Sequence, residues 1–353
     1  MGARPQFVKL GPLSRALRRH VREIVVHTGQ HYDRAMSDAF FEELALPRPD
    51  RHLGIGSGPH GRMTGRMLEA LEQVIAEEAP AMVIVLGDTN STLAGALAAS
   101  KANVPVAHVE AGLRSFDPSM PEEINRRLTD HVSRLLLCPT PVAVANLKAE
   151  GIRRGVHRTG DVTMDAVREN IPRALAAARH PGVPAPGAYY LATVHRQENV
   201  DDADRLAGIL DALAALPLPT VLPLHPRTRA RMAALGRGRR AGGLRLIAPQ
   251  PYLAMLRLVK EASAVLTDSG GVQKEAFILG TPCITLREST EWTETLESGA
   301  NRLAGTDPRR IRSAARAVQR EPPTWRAARV YGDGRAGERI AAIIARFLAA
   351  RSR

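Results

Sequence analysis

Short continuous apolar runs alternate along this chain with longer stretches in which apolar positions recur every three to four residues. Residues 82–86, 104–109, 135–138, 189–193, 221–224, 244–247, 264–267 and 283–286 read as buried strands, with 22–27 as an earlier one. Between them, residues 61–78, 91–101, 122–133, 166–177, 203–215 and 253–260 carry helical periodicity, and Pro121 suits the first turn of its helix. Strands apolar on both faces, separated by helices, predict an α/β fold with parallel sheets covered on both sides. A chain of 353 residues exceeds one ordinary core. Two doubly wound, Rossmann-like domains are expected, 1–168 and 169–335, with the Pro/Gly-rich stretch 181–187 as a linker candidate. A last helix within 336–353 is expected to pack back across them. Ligands in such sheets bind beyond the carboxyl ends of the strands, which predicts an active site in the cleft between the domains. One feature is anomalous. A Gly-rich first turn such as Gly2-Ala3-Arg4-Pro5 ordinarily follows a central strand, so an upstream strand is expected before it.

Composition narrows the picture. Hydrophobic residues make up 44% of the chain and aromatics only 4%, so the core is aliphatic. A net charge of +13 raises nucleic acid or an anionic membrane as partners. Both are set aside, because the arginines are scattered and no basic-aromatic interleaving marks a base-stacking surface. The positive field still favours an acidic small ligand. No apolar run approaches the roughly 20 residues that span a bilayer, and no signal-peptide pattern opens the chain, so a cytoplasmic location is expected. Cys138 and Cys283 sit in separate apolar runs without metal-ligand or disulfide spacing, which points to buried thiols and no metal.

The chemistry concentrates where strands end. Asp268-Ser269-Gly270-Gly271-Val272-Gln273-Lys274-Glu275 joins an apolar run to a helix that closes at Gly280. A strand, a Ser-Gly-Gly turn and a helix start make an anion cradle from free backbone amides and the helix dipole. The glycines give a diphosphate close access to the backbone. Glu275, one turn in, suits ribose hydroxyls. In the first half, Asp88 and Glu110 each follow a strand, and Glu122 and Glu123 open a helix. Such carboxylates serve as general acids or bases, although each alone is equally readable as a helix-capping acid. In the second half, His195-Arg196 and His225-Pro226-Arg227 end strands and suit an anion. Arg4 and Lys9 add charge near the first turn. Carboxylates in one half and phosphate binders in the other match a reaction that removes a sugar proton and expels a nucleoside diphosphate.

These motifs resemble a known family over nearly the full chain. Gly2-Ala3-Arg4-Pro5-Gln6-Phe7-Val8-Lys9, Thr28-Gly29-Gln30-His31, Gly87-Asp88-Thr89-Asn90-Ser91-Thr92, His108-Val109-Glu110-Ala111-Gly112-Leu113-Arg114, Met120-Pro121-Glu122-Glu123-Ile124-Asn125-Arg126 and Asp268 to Glu275 occur in the order of the non-hydrolysing UDP-N-acetylglucosamine 2-epimerases. The resemblance implies a glycosyltransferase-B architecture. It implies an isomerase that interconverts UDP-N-acetylglucosamine and UDP-N-acetylmannosamine, by anti elimination of UDP and re-addition to a 2-acetamidoglucal. It further implies a cytoplasmic bacterial enzyme of polysaccharide biosynthesis, a homodimer, with no cofactor. It assigns Asp88, Glu110, Glu122 and His195 to catalysis. Arg4, Lys9, Arg126, Gln250, Ser269, Gly270, Gly271 and Glu275 fall to the UDP-sugar. Gln30, His31, Arg66 and His225 match a regulatory UDP-sugar site of some members. Which carboxylate takes the proton and which returns it stays open.

The chain departs from the pattern at Thr290-Glu291-Trp292-Thr293-Glu294, where the family's Thr-Glu-Arg-Pro-Glu loses its basic residue. Thr-Glu-Trp is more similar to a branch that includes the 2-epimerases of UDP-2,3-diacetamido-2,3-dideoxyglucuronic acid. That sugar is the alternative substrate; a hydrolysing epimerase and a glycosyltransferase are further alternatives.

Overall fold

The structure is a computed structural model that describes residues 6–29, 41–236 and 242–351. It divides into two compact units, Met1–Ala166 with Ala328–Arg353, and Val167–Ala327.

The first unit opens with the helix Phe7–Leu17, which buries Phe7, Leu13, Ala16 and Leu17. β1 (Val26–His27) pairs in parallel with β2 (Arg51–His52). A second sheet holds β3 (Val83–Leu86), β4 (Val106–Val109), β5 (Leu135–Cys138) and β6 (Val156–Arg158) in that order, all parallel. β4 and β5 are buried at every position; β5 is apolar throughout, and β4 is apolar except for His108. The helix His60–Glu78 buries Met63, Met67, Leu71 and Val74, a stripe at helical spacing, against the alanines of the helix Asn90–Lys101. The C-terminal helix Ala336–Arg351 belongs to this unit, where Ile340, Ala341 and Ile344 join Leu13, Leu17, Leu86 and Val109 in one cluster.

Of the expected strand at 22–27, only Val26–His27 pairs. Among the described residues, β1 and β3 are not neighbours in one sheet. An apolar cavity of about 450 Å³ is lined by Val25 and Val26 together with Val83 and Ile84, under Leu13 and Ile344.

The second unit is one six-stranded parallel sheet. Its strands are β7 (Tyr190–Thr193), β8 (Thr220–Pro223), β9 (Leu244–Ile247), β10 (Ala264–Thr267), β11 (Cys283–Thr285) and β12 (Asn301–Leu303), in the order β12-β11-β10-β7-β8-β9. The chain runs outward from β7 to β9, then returns to β10 and runs outward the other way. β7 and β10 therefore flank the topological switch point, where such sheets bind ligands. Leu206, Ile209, Leu210 and Leu213 of the helix Ala203–Ala214 pack in the core with Ile311, Ala315 and Val318 of the helix Pro308–Arg320. The Pro/Gly-rich stretch 181–187 is no boundary. It lies inside this unit, and the division falls within the helix Val162–Ala176.

Both cysteines are free and buried, and burial pushes their thiols up to about 12. They are not poised as nucleophiles at neutral pH. Among the described residues, no helix is long and apolar enough to cross a membrane.

The start of the C-terminal helix is held by Asp165. Asp165 accepts the amides of Ala336 (3.1 Å) and Gly337 (2.7 Å), satisfying two donors at the helix start. Asp165→Ala is expected to lower stability by about 1–2 kcal/mol. Urea titration of both proteins checks this, and an unchanged midpoint refutes the anchoring role.

Candidate active site

In the first unit, the register of β3 and β4 aligns Leu86 with Val109. Both strands therefore end together, and the residues just beyond them, Gly87-Asp88 and Glu110, come out at the same carboxyl edge. Glu110 is buried, with 4% of its side chain exposed, while Asp88 keeps 31%. Glu110 also holds a positive φ of 73°, a left-handed conformation that costs a non-glycine residue about 1–2 kcal/mol. Strain of that kind persists only where the surroundings enforce it. Here they do: the amides of Glu110 and Ala111 both bond the carbonyl of Leu137 (3.1 and 3.3 Å). Gly87 takes a left-handed φ of 63°, which favours glycine, and a Cβ there would lie in ordinary contact with Glu110 Oε2 at 3.4 Å.

Each carboxylate has its own cation. Lys9 Nζ from the first helix donates to Glu110 Oε2. Arg126 Nη2 donates to Asp88 Oδ2, and its Nη1 donates to Glu123 Oε2 at 3.0 Å. Glu123 Oε2 also accepts the amide and hydroxyl of Ser115 (2.8 and 2.9 Å). The helix Pro121–Val132 thus has two first-turn acids with different fates. Glu123 is buried and fastens Arg126, whereas Glu122 is half-buried. Asn125 Nδ2 donates to the Asp88 carbonyl at 3.0 Å.

A buried network stands behind this edge. His108 Nε2 bonds the carbonyl of Gly87 (2.8 Å) and its Nδ1 bonds Asp130 Oδ1 (2.7 Å). Asp130 Oδ2 accepts the Gly112 amide (3.1 Å) and Arg114 Nη1 (2.8 Å), and Arg114 pairs in bidentate fashion with Glu150. Burial pushes the Asp130 carboxyl up, but His108 and Arg114 beside it outweigh that and hold it below the usual carboxylate range. Gln6 Nε2 reaches the Leu86 carbonyl and the hydroxyls of Thr89 (3.1 Å) and Thr92 (2.8 Å), fixing the turn around Asp88 from the other side. Sequence reasoning missed Gln6, His108, Glu123 and Asp130 in these roles. The available signal was polarity out of place: His108 interrupts an apolar strand, and Glu123, Arg126 and Asp130 share one helix face.

In the second unit, β7 and β10 pair with Thr193 opposite Thr267. The residues just past them, His195 and Asp268-Ser269, meet at the switch point. Asp268 is fully buried and accepts the amides of His195 (3.0 Å) and Arg196 (3.0 Å) and Asn199 Nδ2 (3.1 Å), with His195 Nδ1 at 3.2 Å. Ser269 caps the helix Gly270–Leu279, its Oγ accepting the Val272 amide at 3.4 Å. The Gly270 and Gly271 amides start that helix, and Glu275 lies half-buried one turn along.

The two glycines differ in purpose. Gly271 is open, with only Ser269 Oγ at 3.9 Å from where a Cβ would sit. A Cβ on Gly270 would lie 2.3 Å from Glu291 Oε1, so Gly270 makes room for the protein's own carboxylate. Glu291 pairs with buried Arg287 (3.0 Å), and Trp292 covers the Lys274 ammonium at 4.2 Å. Gln250 lies just past β9 and donates to the Ala248 carbonyl at 2.8 Å. His225 caps the helix Pro226–Ala234, and its ring centroid lies 5.7 Å from that of His195. Arg66 is on the first unit's helix His60–Glu78, where its Nη1 donates to the Ile55 carbonyl at 3.2 Å. Arg4, Gln30 and His31 lie outside the described residues. Among the described residues, no three His, Cys, Asp or Glu side chains come together as metal ligands.

The Asp130 network gives a pH test. Because its folded carboxyl is held below the unfolded value of about 3.9, its contribution is full above that value. It is lost as pH falls through the depressed folded value. Asp130→Asn is expected to be destabilised at pH 7 by about 3 kcal/mol or more, and to lose less further stability than wild type on acidification. Melting temperatures from pH 7 to pH 3 check both, and parallel curves for the two proteins refute the assignment.

Known proteins are similar to this chain in sequence and fold. The profile of the UDP-N-acetylglucosamine 2-epimerase family matches residues 15–345. UDP-2,3-diacetamido-2,3-dideoxy-D-glucuronate 2-epimerase of Pseudomonas aeruginosa is 48% identical over 98% of both chains. The crystal structure of Methanocaldococcus jannaschii UDP-GlcNAc 2-epimerase in complex with UDP-GlcNAc and UDP superposes with a TM-score of 0.90, at 43% identity over 97% of both chains. The glycosyltransferase SnogD of Streptomyces nogalater, at 17% identity and a TM-score of 0.55 over 95% of this chain and 96% of its own, shares the fold alone. With paired strand-end carboxylates in one parallel α/β unit, a capped helix start in the other, and a profile match across nearly the whole sequence, the chain belongs to the UDP-N-acetylglucosamine 2-epimerase family.

Proposed function

We propose that the chain inverts C2 of a UDP-HexNAc without net hydrolysis, interconverting UDP-N-acetylglucosamine and UDP-N-acetylmannosamine. The observation that carries this reading is the pair Asp88 and Glu110, two carboxylates brought to one sheet edge and each held by a cation. In the forward half-reaction a carboxylate takes the C2 proton, the C2–H electrons form the C1–C2 double bond, and the C1–O bond breaks with its electrons leaving on UDP. The reverse half-reaction returns UDP to C1 and a proton to the opposite face of C2. No oxidant is required, because C2 keeps its oxidation state.

The C2 proton is not acidic. Stabilising the departing UDP must therefore carry much of the barrier. The reading assigns that task to the second unit: the Gly270 and Gly271 amides with the helix dipole, and His195. Glu275 is assigned to the ribose and Gln250 to the uracil. Asp88, Glu110 and Glu122 are assigned to proton handling. Arg126 and Lys9 act through the carboxylates they hold. A second reading, the same chemistry on UDP-2,3-diacetamido-2,3-dideoxyglucuronic acid, is supported by the Pseudomonas relative and by Trp292 in place of the arginine of the Thr-Glu-Arg-Pro pattern.

Asp88→Asn is expected to reduce turnover by about 10²–10⁴-fold while leaving UDP affinity within a small factor. Deuterium incorporation at C2 in deuterated water, followed by NMR with each sugar in turn, measures the step and identifies the substrate. Wild-type exchange in the variant removes Asp88 from the mechanism, and exchange with neither sugar refutes the reading. Glu275→Ala is expected to weaken UDP binding by about 1–3 kcal/mol, read by calorimetry; an unchanged affinity refutes its ribose role.

A further inference from the structure

His195 and His225 lie side by side, yet the structure gives their rings opposite proton assignments. His225 Nδ1 accepts the Arg227 amide at 3.2 Å, so its proton sits on Nε2. His195 Nδ1 faces Asp268 Oδ1 at 3.2 Å. An ionised carboxylate only accepts, so this nitrogen carries the proton and Nε2 is left as the ring's other polar atom. The His195 side chain keeps 38% of its surface exposed, and Asp268 keeps none. His195 thus has a buried carboxylate behind it.

We propose that Asp268 is a positioning residue: it fixes His195 with its proton on Nδ1 and supports the imidazolium, so that an Nε2–H faces the leaving diphosphate. This rests on the UDP-sugar reading above. Neutral His195 in this tautomer has a bare lone pair at Nε2, which repels phosphate oxygens. Only the doubly protonated ring both satisfies Asp268 and donates a charge-assisted hydrogen bond to the ligand. The other Asp268 bonds serve the same end. The amides of His195 and Arg196 and the Asn199 side chain lock the segment after β7 onto the residue just before the Ser269 helix cap. One carboxylate thereby sets the distance between the histidine and the helix start. Burial alone would raise its carboxyl, but His195, the Arg196 amide and Asn199 hold it below the usual range, so it stays ionised for this role. The His225 ring also lies beside that of His195, 5.7 Å away between centroids.

The test is a double-mutant cycle with an independent spectroscopic readout. Asp268→Asn is expected to lower kcat by about 10²-fold or more, with KM changed far less. In a His195→Ala background it is expected to add less than about threefold, because it acts through that ring. Equal losses in both backgrounds would show a purely structural role and overturn the proposal. Nitrogen-15 NMR of the wild-type His195 ring needs no variant to fold. It is expected to show a protonated Nδ1 in the free protein and both nitrogens protonated with UDP bound; an Nε2–H tautomer without UDP, or a neutral ring with it, overturns the proposal. A wild-type protein that neither binds UDP nor exchanges at C2 would refute the functional reading instead, and the free-protein tautomer would still be decided.

Discussion

Everything chemical in this chain depends on parallel strands that end in register. A parallel ladder offsets neighbouring strands by a fixed amount, so the residue that follows one strand is set beside the residue that follows the next. In the first unit, Leu86 opposite Val109 brings out Asp88 and Glu110 together. In the second, Thr193 opposite Thr267 brings together His195 and Asp268, at the point where the strand order reverses. A slip of one residue in either pairing would turn an acid to the other face of the sheet and bring the apolar residue beside it to the edge. The apolar runs that drive folding thus also set the geometry of the polar groups at their tips.

Those polar groups then have to be kept where the register puts them. Buried charge is tolerated only when it is paired and hydrogen-bonded, and both units meet that requirement with chains of partners. Ser115 fixes Glu123, Glu123 fixes Arg126, and Arg126 holds Asp88. Arg114 and His108 hold Asp130, and His108 holds the Gly87 carbonyl. In the second unit a single residue, Asp268, does the equivalent work. Such networks contribute little net stability compared with an apolar core of the same shape. Their value lies in favouring one arrangement of the edge groups.

The strand-helix alternation was legible because most elements are apolar runs bounded by Gly, Pro or a capping residue. β6, with the sequence Val156-His157-Arg158, and β12, with Asn301-Arg302-Leu303, carry no such signal; each is a short edge strand whose pairing is decided by its neighbour. The strand-end acids and histidines were also legible, since polarity directly after an apolar run is visible in one dimension. Partnership was not. Lys9 and Glu110 are separated by 101 residues, and His195 and Asp268 by 73. Gly270 shows the same limit: its glycine signal was real, but the group that needs the space is Glu291.

That turn also bears on which sugar the enzyme accepts. A uronic acid substrate brings a carboxylate that the alternative lacks, and binding it favourably requires a cation or several donors not already committed. The segment beside the helix start contains Arg287, and the helix itself carries Lys274. Arg287 is neutralised by Glu291 within a buried pair, and the Lys274 ammonium is buried against the face of Trp292. Moving Arg287 toward a substrate carboxylate would leave the buried Glu291 carboxylate uncompensated, and moving Lys274 would give up its contact with the Trp292 ring. The loss of the family's arginine at this turn removes another cation from the same place. Around the second unit's helix start, Arg287 and Lys274 are therefore already committed within the fold, so recognition of a uronate carboxylate would draw on basic groups elsewhere in the chain.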